Sequence, residues 1–152
     1  MVVDITLLKQ LRNETQASVL DCRLALEGNN GNYKKALEWI KRRGLEKAEK
    51  KAERETSQGL IEAYIHQNGR VGALISILCE TDFVARTKEF KDLAHEIAMQ
   101  VAAMNPKDVK ALLKQEYIRD SSMTINDLIK SVIGKLGENI VIKKFQRFEI
   151  GE

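Results

Sequence analysis

LIEAYIHQNGRVGALISILCETDFVA, residues 60–85, decides how the second half of this chain is read. Leu60 to His66 and Val71 to Cys79 are rich in Ile, Leu, Val and Tyr, the composition of strands. Asn68-Gly69 between them predicts a hairpin with a type I′ turn, whose two central positions need positive φ. The second stretch, VGALISIL, is apolar on both faces and is expected at the centre of its sheet. Working outward, Thr87 caps an expected long helix with Phe90, Leu93, Ala94, Ile97, Val101 and Met104 on one stripe, closed by Asn105-Pro106. A short helical turn follows over Asp108 to Gln115. Thr124 and Asp127 form a capping box before a stripe of Ile125, Leu128, Ile129, Val132, Ile133 and Leu136, with Gly137 as the stop. Ile140 to Ile150 predicts a last strand. Residues 57–152 are therefore expected to form an α+β core domain, a small antiparallel sheet packed with helices.

The N-terminal residues 1–44 have a different rhythm. Asp4 caps a first predicted helix bearing Leu7, Leu8 and Leu11. Ser18 opens a second as a capping box with Asp21, its stripe being Val19, Cys22, Ala25 and Leu26, and Gly28 ends it. Asn32 caps a third with Tyr33, Ala36, Leu37 and Ile40, and Gly44 is read as its left-handed stop. Three amphipathic helices with tight links pack as a bundle, because none can bury its stripe alone. Residues 45–56, LEKAEKKAERET in the main, have strong helix propensity and little apolar face, so they read as an exposed linking helix.

Composition narrows the function. Apolar residues make up 43% of the 152, enough for packed cores, while aromatics are only 5%. Charged residues are 31% but nearly cancel to +3, which speaks against a dedicated nucleic-acid binder. Seven basic residues against four acidic ones over 41–55 form a local excess whose plainer reading is a solvated face. Cys22 and Cys79 make no CxxC pair and are read as reduced core thiols of an intracellular protein. The N-terminus lacks the apolar run of a signal peptide, and no stretch approaches the ~20 apolar residues that cross a bilayer. A protein without membrane contact, in the cytoplasm or in an organelle's matrix or stroma, is expected. His66 and His95 stand in no motif, and neither a phosphate-binding GxxxxGK[ST] loop nor GxGxxG occurs. Bond-making catalysis, a cofactor and a metal are accordingly not expected.

Glu80-Thr81-Asp82-Phe83-Val84-Ala85 is less ordinary. Thr and Asp are helix-entry residues, so a simple N-cap accounts for them. Phe83 has two readings: an inward staple, or a large apolar side chain on a projecting loop beside a carboxylate, which is a typical anchor for a pocket in another protein.

The residues taken together resemble the elongation factor Ts family. LRNET at 11–15, Asp21-Cys22-Arg23 and Ala25-Leu26 look like its opening signature; CETDFVART at 79–87 resembles its TDFVA loop. MNP at 104–106 and KLGENIVIKKFQRFEIG at 135–151 are similar to its later motifs. The resemblance implies a ubiquitin-associated-like three-helix module, a linking helix and an α+β core. It implies one partner, elongation factor Tu, and guanine-nucleotide exchange as the activity. Carried over residue by residue, it assigns Arg12, Ala17, Val19, Leu20 and Arg23 to contact with the partner's GTPase domain. Thr81, Asp82, Phe83 and Val84 become a wedge entering between helices of that domain. The chain departs from the family pattern in Gln16-Ala17-Ser18-Val19-Leu20, where Gly-Ala-Gly-Met-Met is usual, and in Arg23, where lysine is usual. The usual helical stretch between MNP and the last strand is largely missing, leaving one core subdomain; short forms of this kind imply a homodimer through the core sheet. Two other readings compete. One is a ubiquitin-like or peptide-binding adaptor using the N-terminal module, which would leave the TDFVA loop idle. The other is an RNA-binding ribosomal accessory protein using Lys41 to Arg54.

Overall fold

The computed structural model describes residues 2–152. Three helices come first: α1 (Ile5–Thr15), α2 (Val19–Gly28) and α3 (Tyr33–Lys51). Their caps are local. Asp4 accepts from the Thr6 N–H at 2.8 Å, Ser18 from the Asp21 N–H at 3.0 Å, and Asn32 from the Lys35 N–H at 3.0 Å. Leu11, Cys22, Ala25, Leu26, Ala36 and Ile40 close a small core of their own.

Two expectations fail in this half. Asp21 does not close a capping box; its carboxylate turns away from Ser18's backbone and takes the Lys47 ammonium at 2.5 Å and Arg43 at 3.6 Å. Gly44 is no helix stop. The third helix runs through it to Lys51, so residues 45–51 of the expected linking helix are the second half of α3 and are not simply exposed, while 52–56 lie past its end. The reason is tertiary. Helix α7 (Ile125–Leu136) crosses α3 so closely that a Cβ on Gly134 would lie 3.1 Å from the Gly44 Cα. Ala48, one turn further on, is buried in the larger core. Gly134, having no side chain, permits the close crossing, and the packing gained there outweighs the weak helix preference of Gly44, about 1 kcal/mol.

The larger core lies under a three-stranded antiparallel sheet in the order β1 (Gln58–Ile65), β2 (Val71–Cys79), β5 (Val141–Glu149). β2 is central, as its doubly apolar sequence requires. Ala73, Ile75, Ile77 and Cys79 face the helices and are buried. The connecting turn differs from the expected one. Among its non-glycine residues none has positive φ, and Gly69 alone takes it, at 71°. The Gly69 N–H bonds back to the His66 carbonyl at 2.8 Å, and the His66 N–H to Val71 at 2.9 Å, giving a four-residue loop. Helix α5 (Lys88–Met104), capped by Thr87, covers the inner face with Phe90, Leu93, Ala94, Ile97 and Val101. Met104, expected in that stripe, is exposed at its end. After α6 (Val109–Lys114) comes a hairpin that the sequence did not foretell, β3 (Glu116–Tyr117) with β4 (Asp120–Thr124). Gln100, fully buried on α5, organises it: its amide donates to the Glu116 carbonyl at 3.0 Å and accepts the Ile118 N–H at 3.0 Å. Thr124 and Asp127 form the expected capping box of α7, and Gly137 closes that helix at φ 77°.

Candidate functional site

Between β2 and α5 the chain makes a single helical turn, α4 (Asp82–Ala85). Thr81 caps it, its hydroxyl accepting the Val84 N–H at 3.3 Å. Val84 and Ala85 are buried and form the floor of the turn. With the floor fixed, the helical spacing turns Asp82 and Phe83 outward. Phe83 is 74% exposed, the most exposed Phe, Tyr or Trp ring of the described residues. Asp82 pairs with Arg86 at 3.2 Å on the same surface, a link that water largely screens. The projecting alternative is therefore the one realised, with one difference within the predicted set. Val84 lies in the core and offers no side chain to a partner.

Four residues cannot hold a helix by themselves, because nucleation fixes several dihedrals for one hydrogen bond. The turn is held from 57 residues away. Glu138, just past the left-handed Gly137, accepts the Thr81 N–H at 2.9 Å and the Glu80 N–H at 3.2 Å with one oxygen. Its other oxygen accepts the Thr81 hydroxyl at 2.7 Å. From beneath, the Cys79 thiol donates to the Thr81 carbonyl at 3.1 Å. Burial pushes that thiol's pKa up, as it does for Cys22, so both are protonated packing groups. Neither Glu138 nor its contact with Thr81 was assigned a role from sequence; the LGEN stretch was legible only as a motif.

The second predicted patch lies at the start of α2. Val19 and Leu20 are 48% and 63% exposed, and Leu24, one turn on, joins them. Leu24 was missed, although its i+4 spacing from Leu20 was a usable signal. Arg23 is exposed and pairs with Glu27 at 2.9 Å. Arg12 is exposed on α1, and Ala17 is half-buried against the small core. Arg12 and Ala17 line a cleft of ≈ 730 Å³ between α1, α3 and α7, in which Asp21, Lys47 and Asp127 also stand. Its charges are mixed, so no single sign dominates it. In that cleft burial raises the Asp21 pKa, but the bonds from Lys47 and Ser18 and the charges of Lys47 and Arg43 outweigh it. The carboxyl ends below its ordinary range.

Among the described residues no three His, Cys, Asp or Glu side chains gather as a metal cluster. Nor is any helix among them long and apolar enough to cross a membrane.

What the geometry offers is contact: an aromatic ring on a fixed corner and an aliphatic patch on a separate helix entrance. Comparison with known proteins gives the family. The family profile described as "Elongation factor TS" matches residues 80–152. Elongation factor Ts of Coprothermobacter proteolyticus is 42% identical, with all of both chains covered. That of Thermotoga neapolitana is 40% identical over all of this chain and 99% of its own. That of Rippkaea orientalis is 38% identical over 95% of this chain and 76% of its own. The alignment with the Coprothermobacter protein spans 197 positions against 152 residues here, so that relative carries a stretch with no counterpart in this chain. The class is that of the translation elongation factors. Within it, the chain belongs to the elongation factor Ts family.

Proposed function

We propose that this chain is a guanine-nucleotide exchange factor that binds the GDP-bound form of elongation factor Tu and promotes GDP release, making and breaking no covalent bond. The observation that carries this reading is Phe83, an exposed ring on a turn whose backbone is bound on both sides. A P-loop GTPase holds GDP through backbone donors and a Mg²⁺ gripped by neighbouring segments. A ring driven between two of its helices displaces those segments and weakens the cradle. Linkage makes the effect mutual: GDP weakens the exchange factor's binding by the same factor. A hundredfold effect corresponds to about 2.7 kcal/mol, and burying one Phe side chain supplies roughly 1.5–3 kcal/mol. One ring is sufficient. Val19, Leu20 and Arg23, with Arg12 and Ala17 beside them, supply a second contact on the GTPase domain. Such a role places the protein in the compartment of translation, the cytoplasm for a bacterial chain.

A second copy of this chain is a further partner. The outer face of the sheet carries Ile61, Ile65, Leu74 and Phe148, all exposed, and a groove of ≈ 420 Å³ runs past the last three to Ile150. Covering such a face by its own copy removes apolar area from water, and sedimentation at micromolar concentration reads the outcome.

The deciding experiment mixes the purified chain with elongation factor Tu loaded with a fluorescent GDP and follows the release. The expected result is release accelerated in proportion to added protein until saturation. No acceleration at saturating protein would remove the exchange role.

A further inference from the structure

We infer that Glu138 is a positioning residue for the Phe83 corner, holding the ring in the geometry that the exchange step uses. The inference rests on the exchange reading above and adds a residue to it. Three bonds converge on one carboxylate: the N–H groups of Glu80 and Thr81 and the hydroxyl of Thr81. Bonds to an ionised acceptor are roughly twice as strong as neutral ones. Thr81 is thereby fixed twice, since the same hydroxyl that donates to Glu138 accepts the Val84 N–H, one of the free N–H groups in the first turn of α4.

The neighbouring residue grips another part of the chain. Asn139, buried, donates its amide to the carbonyls of Ala52 at 3.3 Å and Arg54 at 2.9 Å, just past the end of α3. Arg54 in turn lies 3.7 Å from the Glu80 carboxylate. The turn 137–140 therefore joins the corner bearing Phe83 to the end of the helix that carries the N-terminal bundle. Its direction is set by Gly137 in the left-handed region, where a side chain would be strained. A ring that must enter a slot loses little freedom if its backbone is already ordered, and a loosely held one loses more.

In the complex, other surfaces still hold the partner, so a slack corner lowers the rate at saturation more than it changes the half-saturating concentration. The test uses the full chain with elongation factor Tu and fluorescent GDP, for Glu138→Ala, Glu138→Gln and Glu138→Asp, with Phe83→Ala alongside. Glu138→Ala is expected to lower the saturating release rate about tenfold, at a temperature where circular dichroism shows it folded. The amide protons of Glu80 and Thr81 should then exchange faster. Glu138→Gln keeps an oxygen for both N–H groups and should stay within about twofold of the unsubstituted protein. Glu138→Asp, one methylene short, should fall with Glu138→Ala, and it carries the test if Glu138→Ala does not fold. If Phe83→Ala slows release while folded Glu138→Ala and Glu138→Asp match the unsubstituted rate, the positioning role is overturned and the exchange reading stands. If Phe83→Ala changes nothing, the exchange reading itself falls, and the role of Glu138 with it.

Discussion

Ser18-Val19-Leu20 and Thr81-Asp82-Phe83 are the same device built twice. In each, a hydroxyl caps a helix by taking the N–H three residues on, and the residue two after the cap is a large exposed apolar side chain. They differ in what keeps them in place. α2 has ten residues and buries Cys22, Ala25 and Leu26 in the bundle, so its entrance is fixed by the packing of its own helix. α4 has four residues and depends on Glu138, far away in the chain. A ten-residue helix can carry a contact on the apolar face that it buries; a single turn, with so little to bury, needs a polar clamp from elsewhere in the chain. The clamp gives precision, because a fixed ring can be aimed.

The largest effect should come from removing the ring. Phe83→Ala is expected to slow GDP release from elongation factor Tu tenfold or more, with the unfolding free energy changed by less than about 0.5 kcal/mol, since the ring touches little of its own protein. Stopped-flow release and a denaturant titration measure the two quantities; a rate equal to the unsubstituted one would make the two corners equivalent.

Next comes the frame joining them. Gly134→Leu forces a side chain against the Gly44 backbone and should cost about 1–3 kcal/mol by denaturant titration. Gly44→Ala, whose Cβ would meet nothing within 4 Å, should instead raise stability by about 0.5–1 kcal/mol. If both substitutions destabilised equally, the close crossing would not be what demands glycine at 134 in particular.

Asp21→Asn cuts the ion pair with Lys47 and Arg43 that ties α2 to the second half of α3, at a cost of about 1–2 kcal/mol at pH 7. Because the folded carboxyl titrates below its unfolded value near 3.9, this contribution is complete well above pH 4 and is lost as pH falls through the folded value. The stability gap between the variant and the parent should therefore close below about pH 4; a gap constant from pH 7 to pH 3 would assign the effect to something other than charge.

The smallest effect concerns the bundle's own contact. Arg23→Glu leaves an exposed site and should shift stability by less than about 0.5 kcal/mol while weakening association with elongation factor Tu several-fold. Titration calorimetry giving an unchanged dissociation constant would take Arg23 out of the interface.

Much of this architecture was readable because its signals are local. The caps at Asp4, Asn32, Thr87 and Thr124, the αL closures at Asn105 and Gly137 and the apolar β2 each depend on residues within a few positions. The misreadings share one cause. Gly44 was taken as a stop because glycine usually ends helices, whereas here the packing of α7 on α3, with Gly134 against the Gly44 backbone, carries the helix through it. The β3–β4 hairpin, EYIRDSSMT in the main, has no alternating pattern, and it forms because Gln100 supplies its bonds from another helix. The capping box at Ser18 was half right, since Lys47 competes successfully for Asp21. Of the candidate site, the motif around Phe83 was visible; which of its side chains point outward was not. Val84 and Phe83 are adjacent, and only packing separates them.

By itself, then, the amino-acid order determined most of the helices and the three strands of the main sheet, where most of them begin and end, and that the TDFVA stretch enters a helix. Those outcomes follow from hydrogen bonds and periodicities a few residues long. The tertiary structure decided that α3 passes through Gly44, that Glu138 holds the corner, and that Phe83 faces solvent while Val84 does not. Such results require groups separated by tens of residues to meet, and no local preference encodes that meeting.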